Sequence, residues 1–229
     1  MIKFENTNVY NIVRAVYSAR NPMNSWAKSD SDLENDILGE NDLKLAQNLI
    51  NAGSDHRKFM RQIFVSVDIT APRYWWTEAD TYKVGTVRNS CSTMHKIHAK
   101  EFTLDDFSHE HLIWGYLKED SACYVYGEID EPYSPKDILD GVISSLNACR
   151  EAYLNTKDKR YWWQMIQLLP QSYNQQATVT MNYENVRNMY FARKAHKLDE
   201  WSEGFVKWVK TLPYAEELIC FEGKGVEVC

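Results

Sequence analysis

The sequence predicts a helix-rich α+β domain with few strands, and three observations carry that expectation. Apolar residues recur at helical spacing through most of the longer segments, and one segment alternates with a period of two. In addition, 229 residues at 44% hydrophobic and 13% aromatic suffice for one sizeable core, a single large domain rather than two. Eight Trp and fourteen Tyr are a heavy aromatic load, most of which needs burial.

The elements follow in chain order. Residues 20–40, "RNPMNSWAKSDSDLENDILGE", are polar and turn-rich and read as a loop that takes its order from contact with something else. A helix is predicted from Glu40, with Leu43, Ala46, Leu49 and Ile50 on one face and "NAGSD" closing it at Gly53. "QIFVSVDIT" alternates Ile63, Val65, Val67 and Ile69 against Gln62, Phe64, Ser66 and Asp68, a half-buried strand that Pro72 ends. "RYWWTEADTYKV" reads as helical, with Gly85 interrupting it. Strands are sought in 114–127, "WGYLKEDSACYVYG". A helix over 135–154 has Ser134 as its cap and Pro135 in its first turn. Further helices are predicted over 157–168 and 182–197. An amphipathic one, "DEWSEGFVKWVKTLP", places Trp201, Phe205, Trp208 and Val209 inward and stops at Pro213.

Composition excludes several functions. A net charge of −6 and a pI near 5.6 are not those of a nucleic-acid binder, although one local basic pocket for a single phosphate remains compatible. The five cysteines (Cys91, Cys123, Cys149, Cys220, Cys229) are scattered and show no Cys-x-x-Cys spacing, which argues against a disulfide framework or zinc ribbon and for a reducing compartment. The first residues show no apolar run of signal-peptide type, and the longest uncharged stretch, Tyr161 to Tyr183, is too rich in Gln, Asn, Ser and Thr for a membrane helix. The expected setting is cytoplasmic, with neither nucleic acid nor membrane as partner.

Candidate chemistry is sparse. His95 and His98 would share a helix face and could hold one metal, whereas His109 and His111 would do so only if extended; the spacing matches no zinc signature, and ordinary surface or hydrogen-bonded histidines explain it as well. Cys91 in "NSCST" has Arg88 and His95 nearby in sequence, the setting of a reactive thiolate, yet a lone Cys among hydroxyl residues is more often inert. The sequence contains neither the P-loop nor the Rossmann glycine pattern. Arg187 and Arg193, after the polar run that begins at Leu168, could clamp a phosphate or carboxylate; a polar helix at a subunit interface is the competing reading.

Taken in order, several of these pieces resemble the flavin-dependent thymidylate synthase family. "DHRKFMRQIFVSVDITAP" sets His56 at the first His of that family's Gly-His-x-Ser/Thr-Pro-x-Glu-His segment and Val65–Pro72 over its strand. "TVRNSCSTMH" is similar to its Asn-Glu-x-Ser segment through Asn89 and Ser92. Leu169-Pro170, Asn182, Arg193 and Trp201 reproduce the spacing of its C-terminal half, so that the resemblance spans about residues 10 to 210. There are also departures. The family's Arg-His-Arg triplet reads Asp80-Thr81-Tyr82 or Thr81-Tyr82-Lys83, the second register putting Glu78 at a substrate-facing Gln. The Arg after the motif Ser is replaced by Met94 or a near neighbour, the Arg before Leu-Pro by Ile166 with Gln167 beside it, and the Asn-x-Arg pair by Asn182-Tyr183-Glu184. Arg193 alone stands in register.

The resemblance implies one thymidylate synthase complementing-like domain over residues 1–229, helix-rich with a small, mainly antiparallel central sheet. It implies FAD as cofactor, NADPH and methylenetetrahydrofolate as co-substrates, and dUMP as the pyrimidine nucleotide that is reductively methylated to dTMP. It implies substrate contacts from Glu78, Lys83, Ser92 and Arg193 and cofactor contacts from His56, Tyr82, Arg88, Asn89 and Asn182, with no side-chain nucleophile and no metal. A homotetramer is implied, for which Tyr161, Trp162 and Trp163 would suit the interface. Each lost phosphate-gripping cation removes about 1.5–3 kcal/mol, so two alternatives stand beside dUMP methylation. One is the same fold acting on another pyrimidine nucleotide, or on a nucleoside or base without phosphate, with Trp75, Trp76 and Tyr82 stacking on its ring. The other is a non-catalytic relative serving binding or assembly.

Overall fold

The computed structural model describes residues 2–114 and 134–223; the strands sought in 114–127 lie outside these, apart from Trp114. The fold is helix-rich α+β with a four-stranded antiparallel sheet in the order β1-β2-β4-β3. The strands are β1 (Lys3–Tyr10), β2 (Phe64–Pro72), β3 (Thr86–Ser90) and β4 (Asn174–Asn182). The helices are α1 (Ile12–Ser18), α2 (Glu40–Asn51), α3 (Arg73–Ala79), α4 (Thr93–Lys96), α5 (Pro135–Thr156), α6 (Lys159–Leu168), α7 (Tyr183–Arg193) and α8 (Val206–Val209), with π-helical turns at Glu200–Phe205 and Ala215–Ile219. Among the described residues no helix is long and apolar enough to cross a membrane.

The chain divides into two compact units. The larger comprises Ile2–Thr70, Thr77–Asn89 and the residues from Ala177 on. Its sheet is ordered by β2, whose predicted inward set, Ile63 with Val65, Val67 and Ile69, is buried throughout. The strand runs through Pro72 itself before ending. β4 presents Ala177, Val179 and Met181 inward in the same alternation. β1 pairs antiparallel with β2 from Tyr10↔Phe64 to Lys3↔Thr70, with an irregularity between Glu5 and Asn8 where Asn6 adopts a positive φ of 51°. Asn6 and Thr178 both donate to the Asp68 carboxylate, at 2.9 and 2.5 Å, and Thr178 leads in holding it below the usual carboxylate range. Trp201, Phe205 and Val209 are buried as the amphipathic pattern predicts, though the first two lie in a π turn rather than an α-helix.

Contacts within the chain order the polar loop before α2. Asp42, fully buried in the first turn of α2, accepts hydrogen bonds from Arg20 and from the Ser29 and Ser31 hydroxyls, both at 2.5 Å. The Asp30 carboxylate accepts from the backbone N–H groups of Asn41 and Asp42, satisfying donors that the start of a helix leaves open.

The smaller unit comprises Ala71–Trp76 and Ser90–Gln176. Its core joins Ile97, Phe102 and Phe107 to Leu139 and Leu146 of α5, Met165 of α6 and Leu169. α5 starts where the sequence places it. Ser134 Oγ accepts from the Asp137 N–H, the Asp137 carboxylate accepts from the Ser134 N–H at 2.9 Å, and Pro135 occupies the first turn. The Ser134 side chain, then its backbone N–H, holds the Asp137 carboxyl below its ordinary value of 3.8. A carboxyl lowered by folding contributes stability that is complete above that ordinary value and is lost as pH falls through the lower folded one. Far-UV circular dichroism should therefore show a helix loss below about pH 4 that is absent from Asp137→Asn; an identical acid profile in the variant would refute the cap's contribution.

Two predicted helices are shorter than their patterns suggest. The segment at 73–84 is helical only to Ala79, because the chain then turns through Gly85 (φ 74°) into β3, an unpredicted strand. The helix expected over 182–197 spans Tyr183–Arg193, since Asn182 is both the last residue of β4 and the N-cap of α7. Much of the polar run ahead of it is β4.

Candidate functional site

Three of the residues predicted from sequence, Glu78, Tyr82 and Arg193, come together at the C-terminal end of α7, within the larger unit, and the other six do not. α7 is anchored at its start by Asn182, whose Oδ1 accepts from the Asn185 N–H at 3.0 Å. Asn185 in turn donates through Nδ2 to the Val84 carbonyl (2.5 Å) and to Thr86 Oγ1 (2.9 Å), tying the turn between α3 and β3 to the helix. A Cβ at Gly85 would lie 2.6 Å from the Asn182 amide nitrogen, and the positive φ favours glycine independently. Asn182, expected to line a flavin, thus spends its oxygen on the helix cap.

At the other end of α7, Arg193 is held on several sides. Its Nε donates to the Tyr82 hydroxyl at 3.1 Å, and its Nη1 lies 3.4 Å from Glu78 Oε2. Its guanidinium carbon stands 5.6 Å from the centroid of the Tyr82 ring and 5.4 Å from that of Trp201, within cation–π range of both. Glu78 and Tyr82 reach this position because α3 ends in a tight turn, with the Glu78 carbonyl accepting from the Thr81 N–H and the Ala79 carbonyl from the Tyr82 N–H, each at 3.1 Å. Trp201 arrives from a π turn, an irregularity that recurs at functional sites.

His196 joins the group, and the sequence reading missed it. Its Nε2 lies 3.3 Å from the same Glu78 oxygen, while its Nδ1 accepts from the Leu198 N–H at 3.1 Å. An accepting Nδ1 carries no proton, so the hydrogen of the neutral ring sits on Nε2, the nitrogen nearer Glu78. Glu78 Oε2 is buried and accepts no hydrogen bond among the described residues; Arg193 Nη1 and His196 Nε2 stand near it without hydrogen-bond geometry. The side chains of Arg193, His196 and Glu78 are 21%, 21% and 36% exposed, so the group faces solvent in part.

The other predicted residues stand apart. Arg88 is paired with the Asp80 carboxylate at 2.8 and 2.9 Å. Lys83, Asn89 and His56 are exposed. Ser92 belongs to the smaller unit, where its Oγ caps the short α4 by accepting from the His95 N–H. Trp75 and Trp76 cannot stack on a ligand ring. They are 1% and 4% exposed and packed edge to face at 5.0 Å, with Trp76 Nε1 donating to the Gln175 carbonyl.

Arg187 and Arg193 do not form a clamp. Six residues along an α-helix is about 600°, which puts the two on different faces. Arg187 is buried and donates to the carbonyls of Ile219 (2.7 Å) and Phe221 (2.8 Å); burial, and then the nearby Arg57, push its pKa down to about 10. Glu184, where the Asn-x-Arg comparison would have an arginine, is buried and accepts from Arg57 Nε at 3.1 Å and from Arg61. In the smaller unit, His95 is exposed, His98 packs against the Tyr153 ring at 5.0 Å, and His109 Nδ1 lies 2.8 Å from the Phe107 carbonyl oxygen. Among the described residues no three His, Cys, Asp or Glu side chains gather in a metal-binding arrangement. Cys91 is a free, exposed thiol.

No protein-family model matches the chain, and no curated protein does. Its fold is similar to two crystal structures of the flavin-dependent thymidylate synthase ThyX from Helicobacter pylori, both with FAD and dUMP. Each aligns with a TM-score of 0.62 and 14% identity over 95% of this chain, covering 97% and 96% of the respective ThyX chains. At that identity the likeness is one of fold.

Proposed function

We propose that this chain is a flavin-dependent protein of the thymidylate synthase type, a single domain acting as a cytoplasmic homotetramer on a pyrimidine nucleotide such as dUMP. NADPH would be its reductant and methylenetetrahydrofolate its carbon donor. The observation that carries this reading is end-to-end agreement of fold with a protein crystallised with FAD and dUMP, 95% of one chain on 97% of the other. The Glu78–Tyr82–Arg193 grouping supports it, because three residues assigned to substrate and cofactor from sequence alone come together in the fold.

The donor set suits a dinucleotide. His56 and Asn89 are exposed, and their side chains make no hydrogen bond among the described residues; groups of this kind take up pyrophosphate and ribityl oxygens. These residues would hold FAD, which when bound supplies hydride. The chain's own contribution is to bind and orient. Asn185 fixes the turn at Gly85, and Arg193, within cation–π range of Tyr82 and Trp201, holds the Tyr82 hydroxyl by a hydrogen bond beside Glu78.

The test is the visible spectrum of the purified protein before and after incubation with FAD and desalting. A retained oxidised-flavin band is expected, to be followed by titration with dUMP. A colourless protein after excess FAD would refute the flavin reading and leave a binding or assembly role.

A further inference from the structure

We propose that the cleft between α2 and the loop before it is a binding site for a sugar phosphate, held at its phosphate by Lys28 and Lys44. The inference goes beyond the flavin reading and does not rest on it, since none of the residues that the resemblance assigned to substrate or cofactor lines this cleft. Its volume is about 630 Å³, within the range of small-molecule sites. One wall is a single face of α2, where Asn41, Lys44 and Asn48 follow one another at spacings of three and four residues. Opposite lies the loop over residues 27–30, and Arg20 lines the cleft as well. Both walls are fixed before any ligand arrives. Asp30 accepts from the N–H groups of Asn41 and Asp42 at 2.8 and 3.1 Å, and Asp42 bonds Arg20, Ser29 and Ser31, so the loop is fastened to the helix it faces.

The lining is cationic in a chain whose net charge is −6. Arg20, Lys28 and Lys44 stand against one carboxylate, Asp30, which two backbone N–H groups already engage. Asp42 matches the charge of Arg20 through Nε and Nη2, while Nη1 of this nearly buried side chain makes no hydrogen bond among the described residues. Lys28 and Lys44 make no ion pair or side-chain hydrogen bond there either, which leaves two ammonium groups to meet one dianion. A single carboxylate would balance only one of them. The rest of the lining identifies what the phosphate is attached to. It holds no aromatic ring, hence no platform for a nucleobase. The Asn41 and Asn48 side chains are exposed and make no hydrogen bond among the described residues, and an amide both donates and accepts, as sugar hydroxyls require. They flank Lys44 over about 10 Å of helix, room for a phosphate with a pentose beside it.

The full chain is titrated calorimetrically at low ionic strength with ribose 5-phosphate, inorganic phosphate, ribose and succinate, and again in the presence of excess FAD and dUMP. Ribose 5-phosphate should bind about tenfold more tightly than inorganic phosphate or succinate, ribose alone should give no signal, and added salt should weaken the complex. Lys28→Gln and Lys44→Gln should each weaken it by about tenfold, whereas Lys207→Gln, at an exposed lysine outside the cleft, should leave it unchanged. Asn48→Ala should weaken ribose 5-phosphate by roughly fivefold and leave inorganic phosphate unchanged. All four positions are exposed, and thermal unfolding confirms that the variants fold. Absence of ribose 5-phosphate binding overturns the proposal, as does undiminished binding in both lysine variants of the cleft. Succinate or inorganic phosphate binding as tightly as ribose 5-phosphate overturns a sugar phosphate as the ligand. Displacement by FAD or dUMP would give the cleft to the ligands of the flavin reading and overturn it as a separate site. If FAD is not retained while ribose 5-phosphate binds, the flavin reading falls and this inference stands.

Discussion

Replacing Asp42 with alanine should destabilise the protein by about 3–5 kcal/mol, the range for removing one partner of a buried, hydrogen-bonded ion pair. For a chain of this size that corresponds to a fall in Tm on the order of 10 °C. Asp42 is 0% exposed and Arg20 5%, so truncation leaves a nearly buried guanidinium without its carboxylate. The same carboxylate also accepts from Ser29 and Ser31, which arrive from the otherwise polar loop before α2. The loss therefore includes the order of that loop as well as one Coulombic pair. Asp42→Asn keeps the shape but not the charge and should cost less, because the serine hydroxyls can reorient to accept from the amide. Replacing Arg20 and Asp42 together with apolar residues of similar volume should recover much of the loss, since most of the penalty comes from the unpaired cation. Urea unfolding of the four proteins measures this directly. A loss under about 1 kcal/mol for Asp42→Ala would put the network among solvated surface pairs and refute its hold on the loop.

The fold was legible where local chemistry speaks for itself. β2 announces itself by Val65, Val67 and Ile69 at alternate positions, with Ile63 just ahead in the same phase, and α5 by a Ser-Pro-x-Asp start that the structure realises as a capping box. β4 carries the same alternation in weaker residues, Ala177, Val179 and Met181 between Gln and Thr, and its polar composition hid a strand. β1 is largely exposed and irregular between Glu5 and Asn8, so no periodicity marks it. The candidate site divides in the same way. That Arg187 and Arg193 face apart could have been read from their spacing alone. The pairing of Glu78 with Arg193 joins residues far apart in sequence, and there only the family resemblance pointed to both. His196 had one faint signal, its place just past the end of the helix that carries Arg193. That Trp75 and Trp76 are core residues follows from where α3 leaves the sheet, which no pattern in "RYWW" discloses.

Glu184→Ala should destabilise the protein by about 3 kcal/mol, near the lower end for a broken buried pair because one of its two partners is half in solvent. The Glu184 side chain is 6% exposed and its partners Arg57 and Arg61 are 17% and 51% exposed. Without the carboxylate, Arg61 can turn to water, but Arg57 stays largely enclosed near Arg187, a second buried cation. Arg61→Ala should accordingly cost under about 1 kcal/mol, and a double-mutant cycle should find stronger coupling between Glu184 and Arg57 than between Glu184 and Arg61. A change within about 0.5 kcal/mol for Glu184→Ala would mean that solvent already screens the group. The same geometry explains why this position cannot simply carry the arginine that the family pattern has there. Glu184→Arg would add a fourth cation to Arg57, Arg61 and Arg187 while removing the buried carboxylate, and should be more destabilising than Glu184→Ala. Replacing Arg57 and Arg61 with neutral residues in the same chain should relieve it. Charge at residues 57, 61 and 184 is thus one coupled choice, and urea unfolding of Glu184→Arg in the two backgrounds tests it: equal losses with and without Arg57 and Arg61 would show that the three positions are independent.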